Sequence, residues 1–324
     1  MKIFINIASY RDPLLVTTIN SAYNNAKNKE NLVFGIVDQG YDKEHINIDL
    51  LEFKNQIRYI RIDPIYARGA CWPRHLAQTL WQGEEYYLQV DSHTLFDPDW
   101  DEIFIDQYNE LNKYHEKPVI SVYPSGFSIE DKDIKKLNKH TLSGCLSLVV
   151  DEANAFQGDA DMYVGTKCHI IDKEMVHGYM VSGNCLFTGG KMIEDVPYDP
   201  FLYFSGEEHS LALRLWTSGY NIFHTNKIPV YHHYDRDYRT TSWGDGLLED
   251  SRPVKWWERD VESKKRLNSV VTGVDLGIYG VGKVRTLQQY VAFSGIDYLR
   301  RTVQERSKTG ETVFAIDYKD GIDV

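Results

Sequence analysis

Strand-like and helix-like segments alternate through the first third of this chain, and this alternation limits the folds open to it. Short runs rich in Ile, Val and Tyr are followed by longer segments with apolar residues at helical spacing. Units of this length imply parallel pairing of strands, with helices covering the sheet. The sequence therefore predicts an α/β protein with a Rossmann-like, mostly parallel central sheet. The predicted strands are 2–8, 32–37, 57–62, 85–90 and 119–122, and the predicted helices are 14–26, 70–82 and 100–114.

The rest of the chain divides into an irregular middle and a charged, helical end. At 324 residues, the chain is long enough to bury a large core. Residues 124–178 mix Gly, Ser and charged residues with short apolar runs, which predicts irregular loops. We expect one main domain over residues 1–250 and a small helical appendage packed on it over residues 251–324. Further predicted elements are a helix at 208–218, a strand at 228–232 and charged helices at 256–269 and 286–304.

Composition excludes several classes of function. The formal charge is −11, from 36 Lys and Arg against 47 Asp and Glu, which makes nucleic acid an unfavourable partner. No run approaches the roughly 20 apolar residues of a membrane span, and the apolar start is too short for a signal peptide. Four scattered cysteines without paired spacing favour a reduced, cytoplasmic protein over a disulfide scaffold or a zinc module.

A predicted strand delivers two potential metal ligands, Asp91 and His93, to the point where it ends. The strand cannot continue far, because a proline and two acids follow at residues 97–99. Ligands of α/β proteins bind outside the carboxyl ends of the strands. The i, i+2 spacing places both side chains on one side of an extended backbone, where together they can hold a divalent ion. The alternative is a turn-capping Asp beside an ordinary surface His.

Two adjacent histidines, His232 and His233, end a later predicted strand. One of them is expected to complete a metal site with Asp91 and His93, while the alternative is a structural role. Neighbouring residues of a strand face opposite sides. We therefore expect one of the pair to bind the ion and the other to point away.

Two segments are suited to a nucleotide. The loop Ala8-Ser9-Tyr10-Arg11-Asp12 follows the first strand, where a nucleobase and ribose can be held. A solvated turn is an equal alternative. The segment Arg68-Gly69-Ala70-Cys71-Trp72-Pro73-Arg74 opens a helix, and a helix N-terminus with two arginines suits a diphosphate. A capped helix with exposed arginines is the competing interpretation.

A glycine-rich segment and a pair of acids are suited to a sugar. The segment 181–190 contains Gly183, and small residues allow a close approach of the backbone to a ligand. Glu207 and Glu208 follow Gly206 at the start of a predicted helix. They either complement the helix dipole or contact sugar hydroxyls and take part in acid–base chemistry.

Taken in order, these motifs resemble the GT-A-fold glycosyltransferases similar to the Skp1 hydroxyproline N-acetylglucosaminyltransferases. The resemblance spans nearly the whole chain and is weakest over residues 124–178. Its most specific part is Leu88-Gln89-x-Asp91-Ser92-His93, a spelling of the Asp-x-Asp metal element of nucleotide-sugar glycosyltransferases. The other matching stretches are Ala8-Ser9-Tyr10-Arg11-Asp12, Trp81-x-Gly83-Glu84-x-Tyr86, Trp100-Asp101, Pro197-Tyr198-Asp199-Pro200, Gly206-Glu207-Glu208, Tyr279-Gly280-x-Gly282-x-x-Arg285-Thr286-Leu287 and Phe293-x-Gly295-Ile296-Asp297.

The resemblance implies a retaining enzyme that moves a sugar, above all N-acetylglucosamine, from a UDP-sugar to an acceptor hydroxyl with Mn²⁺ or Mg²⁺. It assigns the metal to Asp91 and His93, with His232 or His233 completing the shell. It assigns catalytic or sugar-contacting roles to Asp91 and to Glu207 or Glu208. The residues expected at the nucleotide sugar are Ser9, Arg11, Gln39, Arg68, Gly69, Arg74 and Gly183.

Two other classes of function remain open. A non-catalytic nucleotide-sugar or carbohydrate-binding protein could keep the same scaffold, although such a descendant would be expected to lose Asp91, His93 or the glutamate pair. A metal-dependent phosphohydrolase would be expected to carry a denser cluster of Asp and His. The acceptor, a protein hydroxyl or a glycan, is not specified by the sequence, and a homodimer is compatible with it.

Overall fold

The structure, a computed structural model, describes residues 1–157 and 162–310, without the side chain of Lys132. Within these residues the strands of the main sheet are β1 (Ile3–Tyr10), β2 (Leu32–Gln39), β3 (Ile57–Ile62), β4 (Tyr86–Asp91), β6 (Pro118–Ser121), β11 (Met175–Gly178), β12 (Cys185–Gly189) and β13 (Asn221–Thr225). The remaining strands are β5 (Thr94–Phe96), β7 (Ser125–Ile129), β8 (Leu137–His140), β9 (Cys145–Ala155), β10 (Val164–Ile171), β14 (Val230–His232), β15 (Ile296–Asp297) and β16 (Thr302–Val303).

Helices cover the main sheet and form much of the C-terminal part. In the described residues they are α1 (Leu15–Asn25), α2 (Cys71–Gln78), α3 (Trp100–Asn112), α4 (Met192–Asp195), α5 (Glu207–Thr217), α6 (Gly246–Glu249), α7 (Trp256–Val271), α8 (Leu287–Ser294) and α9 (Arg306–Thr309). None of these helices has the length and apolar character that crossing a membrane requires.

The main sheet has the strand order β11-β13-β6-β12-β4-β1-β2-β3. Strands β4, β1, β2 and β3 pair in parallel, and β13 is parallel to β6. Strand β12 runs antiparallel between β4 and β6, and β11 is antiparallel at the edge. All strands except β11 and β12 therefore share one direction, and the predicted α/β class with a mostly parallel sheet is confirmed.

Burial of both faces explains why the central strands are almost continuously apolar. In β1, Ile3, Ile5 and Ile7 point into one core cluster, and Phe4 points into another on the opposite face. Gly35 of β2 lies against the Phe4 ring, where an added Cβ would be 2.1 Å from Phe4 Cζ. A parallel sheet covered on both faces requires such residues. The chemistry is consequently concentrated where the strands end.

The prediction of irregular structure over residues 124–178 is wrong. The described part of this segment contains β7 to β11, and β9 pairs with β10 in a two-stranded antiparallel ribbon. The first half of β9 is buried, but its second half is exposed and carries polar residues. Because the ribbon leaves the core, its alternation of apolar and polar residues is lost, and the sequence pattern resembles a loop.

The predicted helix over residues 286–304 is present only over its first half and is wrong beyond Ser294. Helix α8 ends at Ser294, and Gly295 follows with a φ of 74°. A left-handed glycine is a common helix stop. The chain then forms the short pair β15–β16, so the C-terminal part is mixed rather than purely helical.

The C-terminal part shares a core with the middle of the chain. Leu267 of α7 and Phe293 of α8 belong to the same apolar cluster as Leu148 of β9 and Trp216 of α5. A domain boundary at residue 250 remains our proposal, and residues 311–324 of the predicted appendage lie outside the described residues.

A second sheet, ordered β5-β14-β7-β8, brings two distant parts of the chain together. Strand β5 follows β4 directly, and β14 pairs with it in antiparallel register, with His232 opposite Thr94. The backbone N–H of His233 donates to the carbonyl of His93 over 3.1 Å. This register fixes the histidine pair beside the end of β4.

Candidate active site

A cleft of about 460 Å³ opens where β1, β2, β4 and β14 end and α5 begins. Its lining includes Ser9 from the end of β1, Gln39 from β2, Asp91 from β4, His232 from β14 and Glu208 from α5. The cleft therefore lies at the carboxyl edge of the parallel strands, where ligands of α/β proteins bind.

Asp91, His93 and His232 form a cluster on the wall of this cleft, with one ligand atom from each lying within 4.8 Å of the others. Nε2 of His232 is 3.0 Å from Oδ2 of Asp91, and Nε2 of His93 is 3.6 Å from the same oxygen. One carboxylate oxygen and two imidazole nitrogens converge on one point, and this donor set fits a divalent transition ion.

His233 is not part of this cluster. Its Nδ1 lies 3.0 Å from the carbonyl oxygen of Asp235, and its ring packs against Phe127 and Tyr238. Consecutive residues at the end of β14 face opposite sides, so only His232 can point towards Asp91. Of the two histidines predicted as metal ligands, His232 lies beside Asp91, whereas His233 lies outside the cluster.

A buried carboxylate, Asp12, orients one of these histidines. Its Oδ2 lies 2.7 Å from Nδ1 of His93 and accepts a hydrogen bond from Ser92 Oγ over 2.8 Å. The proton of a neutral His93 therefore lies on Nδ1, and its Nε2 lone pair points to Asp91. Sequence reasoning placed Asp12 in the nucleotide loop and missed this role, since Asp12 and His93 lie 81 positions apart.

Electrostatics keeps Asp91 and His232 in the protonation states that bind metals. Burial opposes ionisation of Asp91, but the adjacent Arg74 charge and the hydrogen bond with His232 hold the pKa of Asp91 far below its usual range. Burial lowers the pKa of His232 to about 4, although its bond with Asp91 works against that shift. A carboxylate and a neutral imidazole result, which are the ligand forms of both groups.

Arg74 connects the metal cluster to the glutamate pair. Its Nη2 donates to Oδ1 of Asp91 over 2.5 Å. Its Nη1 donates to Glu207, and Tyr198 OH donates to the same carboxylate. There is no room for a side chain at Gly183, since an added Cβ would lie 2.6 Å from Nη1 of Arg74. The predicted phosphate ligand Arg74 lines the cleft, but two carboxylates already share its charge.

Glu208 faces the cleft through a different set of contacts. Its Oε1 accepts from the backbone N–H of Gly183 over 2.8 Å, and its Oε2 accepts from Tyr123 OH over 2.6 Å. Partial burial raises the pKa of Glu208, although both hydrogen bonds oppose that shift. A positioned carboxyl group with a raised pKa is suited to act on a hydroxyl. The two glutamates therefore differ in their surroundings.

Two polar atoms at the opposite end of the cleft have no partner among the described residues. They are Oγ of Ser9 and Oε1 of Gln39, and both are buried. Gln39 is held in place because its Nε2 donates to the carbonyl of Ser9 over 3.1 Å. Buried polar atoms without partners are rare in folded proteins. Here they are suited to a ligand with hydrogen-bonding groups.

Two residues predicted to contact the nucleotide sugar, Arg11 and Arg68, lie outside the cleft lining. Arg11 is not part of the cleft lining and forms ion pairs with Glu44 and Asp245, each at 2.8 Å. Arg68 is exposed, lies outside the lining and stacks 4.8 Å from the Trp72 ring. Each guanidinium is already engaged outside the cleft lining, so in this structure neither faces a ligand of the cleft, and both assignments stay predictions.

Gly69 lines the cleft but serves the fold there. Its φ is +84°, and an added Cβ would lie 2.0 Å from the carbonyl oxygen of Tyr203. The absent side chain lets the segment before α2 pass close to the segment before α5. Gly69 is consequently needed for packing between the two segments that carry Arg74 and Glu207.

Sequence reasoning assigned no role to the segment that follows β14, whose residues Arg236, Arg239 and Trp243 line the cleft. Phe204 and Trp243 pack with their ring centroids 5.0 Å apart, and Phe204 is 43% exposed. Arg236 lies 5.3 Å from the Trp243 ring. Arg239 reaches the metal cluster, with Nη2 3.4 Å from Nε2 of His93. No motif marks this segment, because its contacts depend on the path of the chain after β14.

Comparison with solved structures places the fold among GT-A glycosyltransferases. GalNAc-T7 in complex with UDP, GalNAc and Mn²⁺ aligns with a TM-score of 0.56 at 13% identity over 90% of this chain. The chain spans 54% of the length of GalNAc-T7. S. aureus TarS in complex with UDP-GlcNAc gives a TM-score of 0.47 at 14% identity over 95% of this chain and 83% of TarS. At such identities the likeness to GalNAc-T7 shows the fold alone.

The family is given by the sequence. The family model described as Glycosyltransferase (GlcNAc) matches residues 2–54 and 46–300. The chain therefore belongs to this glycosyltransferase family, and the predicted class of enzyme is confirmed. A search of curated proteins found no match to the chain.

Proposed function

We propose that this glycosyltransferase moves a sugar, above all N-acetylglucosamine, from a UDP-sugar to an acceptor hydroxyl in a reaction that depends on a divalent ion. The observation that carries the proposal is the cluster of Asp91, His93 and His232 in one cleft with Glu208. The description of the family names GlcNAc. The related GalNAc-T7 structure contains UDP, GalNAc and Mn²⁺.

The donor set favours Mn²⁺ over Mg²⁺ of the two ions expected. Mg²⁺ is bound in proteins through oxygen ligands and water, whereas two of the three candidate ligand atoms here are imidazole nitrogens. Asp91, His93 and His232 would hold the ion. When bound, such an ion would neutralise the negative charge that develops on a departing diphosphate.

The remaining side chains of the cleft would bind different parts of the donor, the nucleoside at one end and the sugar at the other. Ser9 Oγ and Gln39 Oε1 are free to bond with a nucleoside, since both lack partners among the described residues. Glu208 would orient a sugar or acceptor hydroxyl, because Gly183 and Tyr123 fix its carboxyl group. Glu207 acts through Arg74 and is assigned a positioning role.

For the stereochemistry, the acceptor and the compartment, we rely on the sequence. The resemblance to Skp1 hydroxyproline N-acetylglucosaminyltransferases supports a retaining reaction on a protein hydroxyl, with a glycan as the other candidate acceptor. The four free cysteines are compatible with a reducing compartment, so we propose the cytoplasm. The anomeric configuration of the product, measured by NMR, tests the stereochemistry.

The proposal is tested by measuring UDP release from a panel of UDP-sugars. The assay is run with Mn²⁺, with Mg²⁺ and with a chelator. We expect release above all from UDP-N-acetylglucosamine with Mn²⁺, and loss of that release in the chelator. Asp91→Ala should abolish it. UDP binding without release from any donor or acceptor would favour a non-catalytic binding protein instead.

A further inference from the structure

Tyr234 is the most exposed aromatic side chain among the residues that line the cleft. It is 47% exposed, compared with 43% for Phe204, and the other aromatic residues of the lining are less exposed. The ring of Phe204 packs on Trp243, so part of its surface is already covered by the protein. Aromatic rings that remain open inside a cleft are typical contacts for a ligand.

Three contacts hold the Tyr234 ring in one position although it is exposed. Its hydroxyl donates to the carbonyl of Pro124 over 2.8 Å, and its ring centroid lies 4.3 Å from that of His232. Its Cδ2 lies close to Gly126 of β7, where an added Cβ would be 3.6 Å away. A side chain that is already ordered loses little further conformational entropy when a ligand packs on it. Tyr234 is therefore preorganised for such a contact.

Tyr234 borders the part of the cleft proposed to hold the sugar. Its ring partner His232 belongs to the metal cluster. Tyr123, whose hydroxyl donates to Glu208 over 2.6 Å, is another neighbour. Burial and Glu208 raise the pKa of Tyr123, and the nearby Tyr163 and Tyr234 hydroxyls add to that shift. The Tyr234 ring thus lies near both the metal cluster and the carboxyl group proposed to orient a hydroxyl.

A saturated ring with hydroxyl groups fits this position better than an extended peptide. Aromatic faces pack against the C–H groups of sugars, and the Glu208 carboxylate is suited to accept from a sugar hydroxyl. Strand β14 pairs with β5 on one side and with β7 on the other, so it has no free edge to which a peptide could add as a strand. The formal charge of −11 is unfavourable for an acidic acceptor.

We propose that Tyr234 is a stacking platform for the ring of an acceptor sugar, and that the acceptor hydroxyl is therefore that of a glycan. The donor sugar is tethered through its diphosphate, whereas an acceptor has to be held by contacts of its own. An exposed ring is reachable from solvent, from which the acceptor enters. The inference rests on the proposed function and selects the glycan from its two candidate acceptors.

Tyr234→Leu and Tyr234→Phe test this platform. The donor is UDP-N-acetylglucosamine with Mn²⁺, and the acceptor probes are the methyl β-glycosides of glucose, galactose and N-acetylglucosamine. We expect the parent to transfer sugar to at least one of them. In Tyr234→Leu the KM for that glycoside should rise about tenfold, the upper end of one aromatic stacking contact, because leucine lacks a flat face. Tyr234→Phe keeps the ring and should stay within about threefold of the parent.

Calorimetry shows whether the change is confined to the acceptor. We expect both variants to keep the parent affinities for Mn²⁺, UDP and UDP-N-acetylglucosamine. Tyr114→Leu is the matched control, since Tyr114 is 76% exposed and lies outside the cleft lining. It should keep the parent KM for the glycoside and the parent affinities.

Four results would overturn the platform alone. The first is an unchanged glycoside KM in Tyr234→Leu. The second is a weaker affinity for UDP-N-acetylglucosamine at constant UDP affinity, which would assign the ring to the donor sugar. The third is a parallel loss of Mn²⁺ and UDP affinity, which would leave Tyr234 as a support for His232. The fourth is a parent that releases UDP but transfers to none of the glycosides, whether it glycosylates a peptide hydroxyl or only water. A parent that releases no UDP from any donor would overturn the proposed function as well.

Discussion

Oδ2 of Asp12 lies 2.7 Å from Nδ1 of His93, so the loop after β1 orients a histidine that follows β4. Asp12 is itself held by Ser92 Oγ and by the backbone N–H of Leu14. A carboxylate behind a metal-binding histidine fixes the tautomer and the ring direction. The contact joins two motifs that the sequence presents separately, one for the nucleotide and one for the metal.

We expect Asp12→Asn to weaken Mn²⁺ binding about ten- to hundredfold, the usual cost of removing such a partner. The asparagine can still accept from His93, so Asp12→Ala should weaken binding further. Calorimetric titration of Mn²⁺ measures both. The control is Asp237→Asn, because Asp237 is exposed and has no contact with His93 in the described structure. Unchanged Mn²⁺ affinity in Asp12→Ala would remove Asp12 from the site.

The histidine pair at the end of β14 provides a matched comparison. His232→Ala should reduce Mn²⁺ affinity by on the order of a hundredfold or more, because it deletes a ligand atom of the cluster. His233→Ala should leave it close to the parent value, since His233 bonds to Asp235 and packs against Phe127. The measurement is Mn²⁺-dependent UDP binding alongside thermal unfolding. Equal and small effects from both variants would leave the two residues as structural histidines.

Much of the fold could be predicted because local pattern and burial agree. The strands and helices of the first third occur where predicted, within about two residues at most ends, and α2 is the main exception, ending at Gln78. The apolar runs of β1 and β4 are buried on both faces, so their sequences carry an unambiguous signal. The end of β4 consequently identified Asp91 and His93 as neighbours at the edge of the sheet.

The rest of the site depends on contacts between distant residues. Pairing of β14 with β5 decides that His232, and not His233, faces Asp91. Arg239 reaches His93 through a loop with no motif. Arg68 and Arg11 matched expectations for phosphate or nucleotide binding by type and position, but each found a surface partner. Residue type thus predicted the chemistry of the site, whereas assignment of the individual arginines required the structure.

Acid should destabilise the fold through a buried histidine remote from the cleft. His224 donates from Nε2 to the carbonyl of Met180, and its Nδ1 accepts from Leu148 N–H. Burial lowers the pKa of His224 from 6.5 to about 4. Above pH 6.5 both folded and unfolded chains hold it neutral. As the pH falls from 6.5 to 4, only the unfolded chain takes up the proton, so the free energy of unfolding drops by on the order of 3 kcal/mol.

Denaturant unfolding between pH 7 and pH 4, in the parent and in His224→Gln, measures this contribution. The variant should be less stable at pH 7, because it loses fixed hydrogen bonds, and its stability should fall less steeply with acid. Identical slopes in the two proteins would show that His224 does not contribute to acid sensitivity.

Substitutions of the two glutamates at the start of α5 should have different effects, one mainly on the stability of the fold and the other mainly on the rate of sugar transfer. Glu207 bonds to Arg74 and Tyr198, so Glu207→Gln leaves a buried guanidinium with a single carboxylate partner, Asp91. We expect this variant to lose on the order of 1–3 kcal/mol of unfolding free energy. Any loss of transfer should accompany a change at Arg74 and the metal cluster, and therefore a change in Mn²⁺ affinity.

Glu208→Gln should instead depress sugar transfer while leaving the fold and nucleotide binding intact. A glutamine at this position keeps an acceptor for the Gly183 N–H, and Tyr123 OH can reverse its role and accept from the new amide. The variant loses only the carboxylate charge and its ability to accept a proton or orient a hydroxyl. We expect transfer to fall by on the order of a hundredfold or more, the scale of one positioned acid–base group. UDP affinity should match the parent, because UDP lacks the sugar that Glu208 is proposed to contact. Transfer rates and calorimetric UDP affinities from the same preparations decide the matter. Normal transfer in both variants, or loss of UDP binding in step with activity in Glu208→Gln, would show that Glu208 does not act at the sugar.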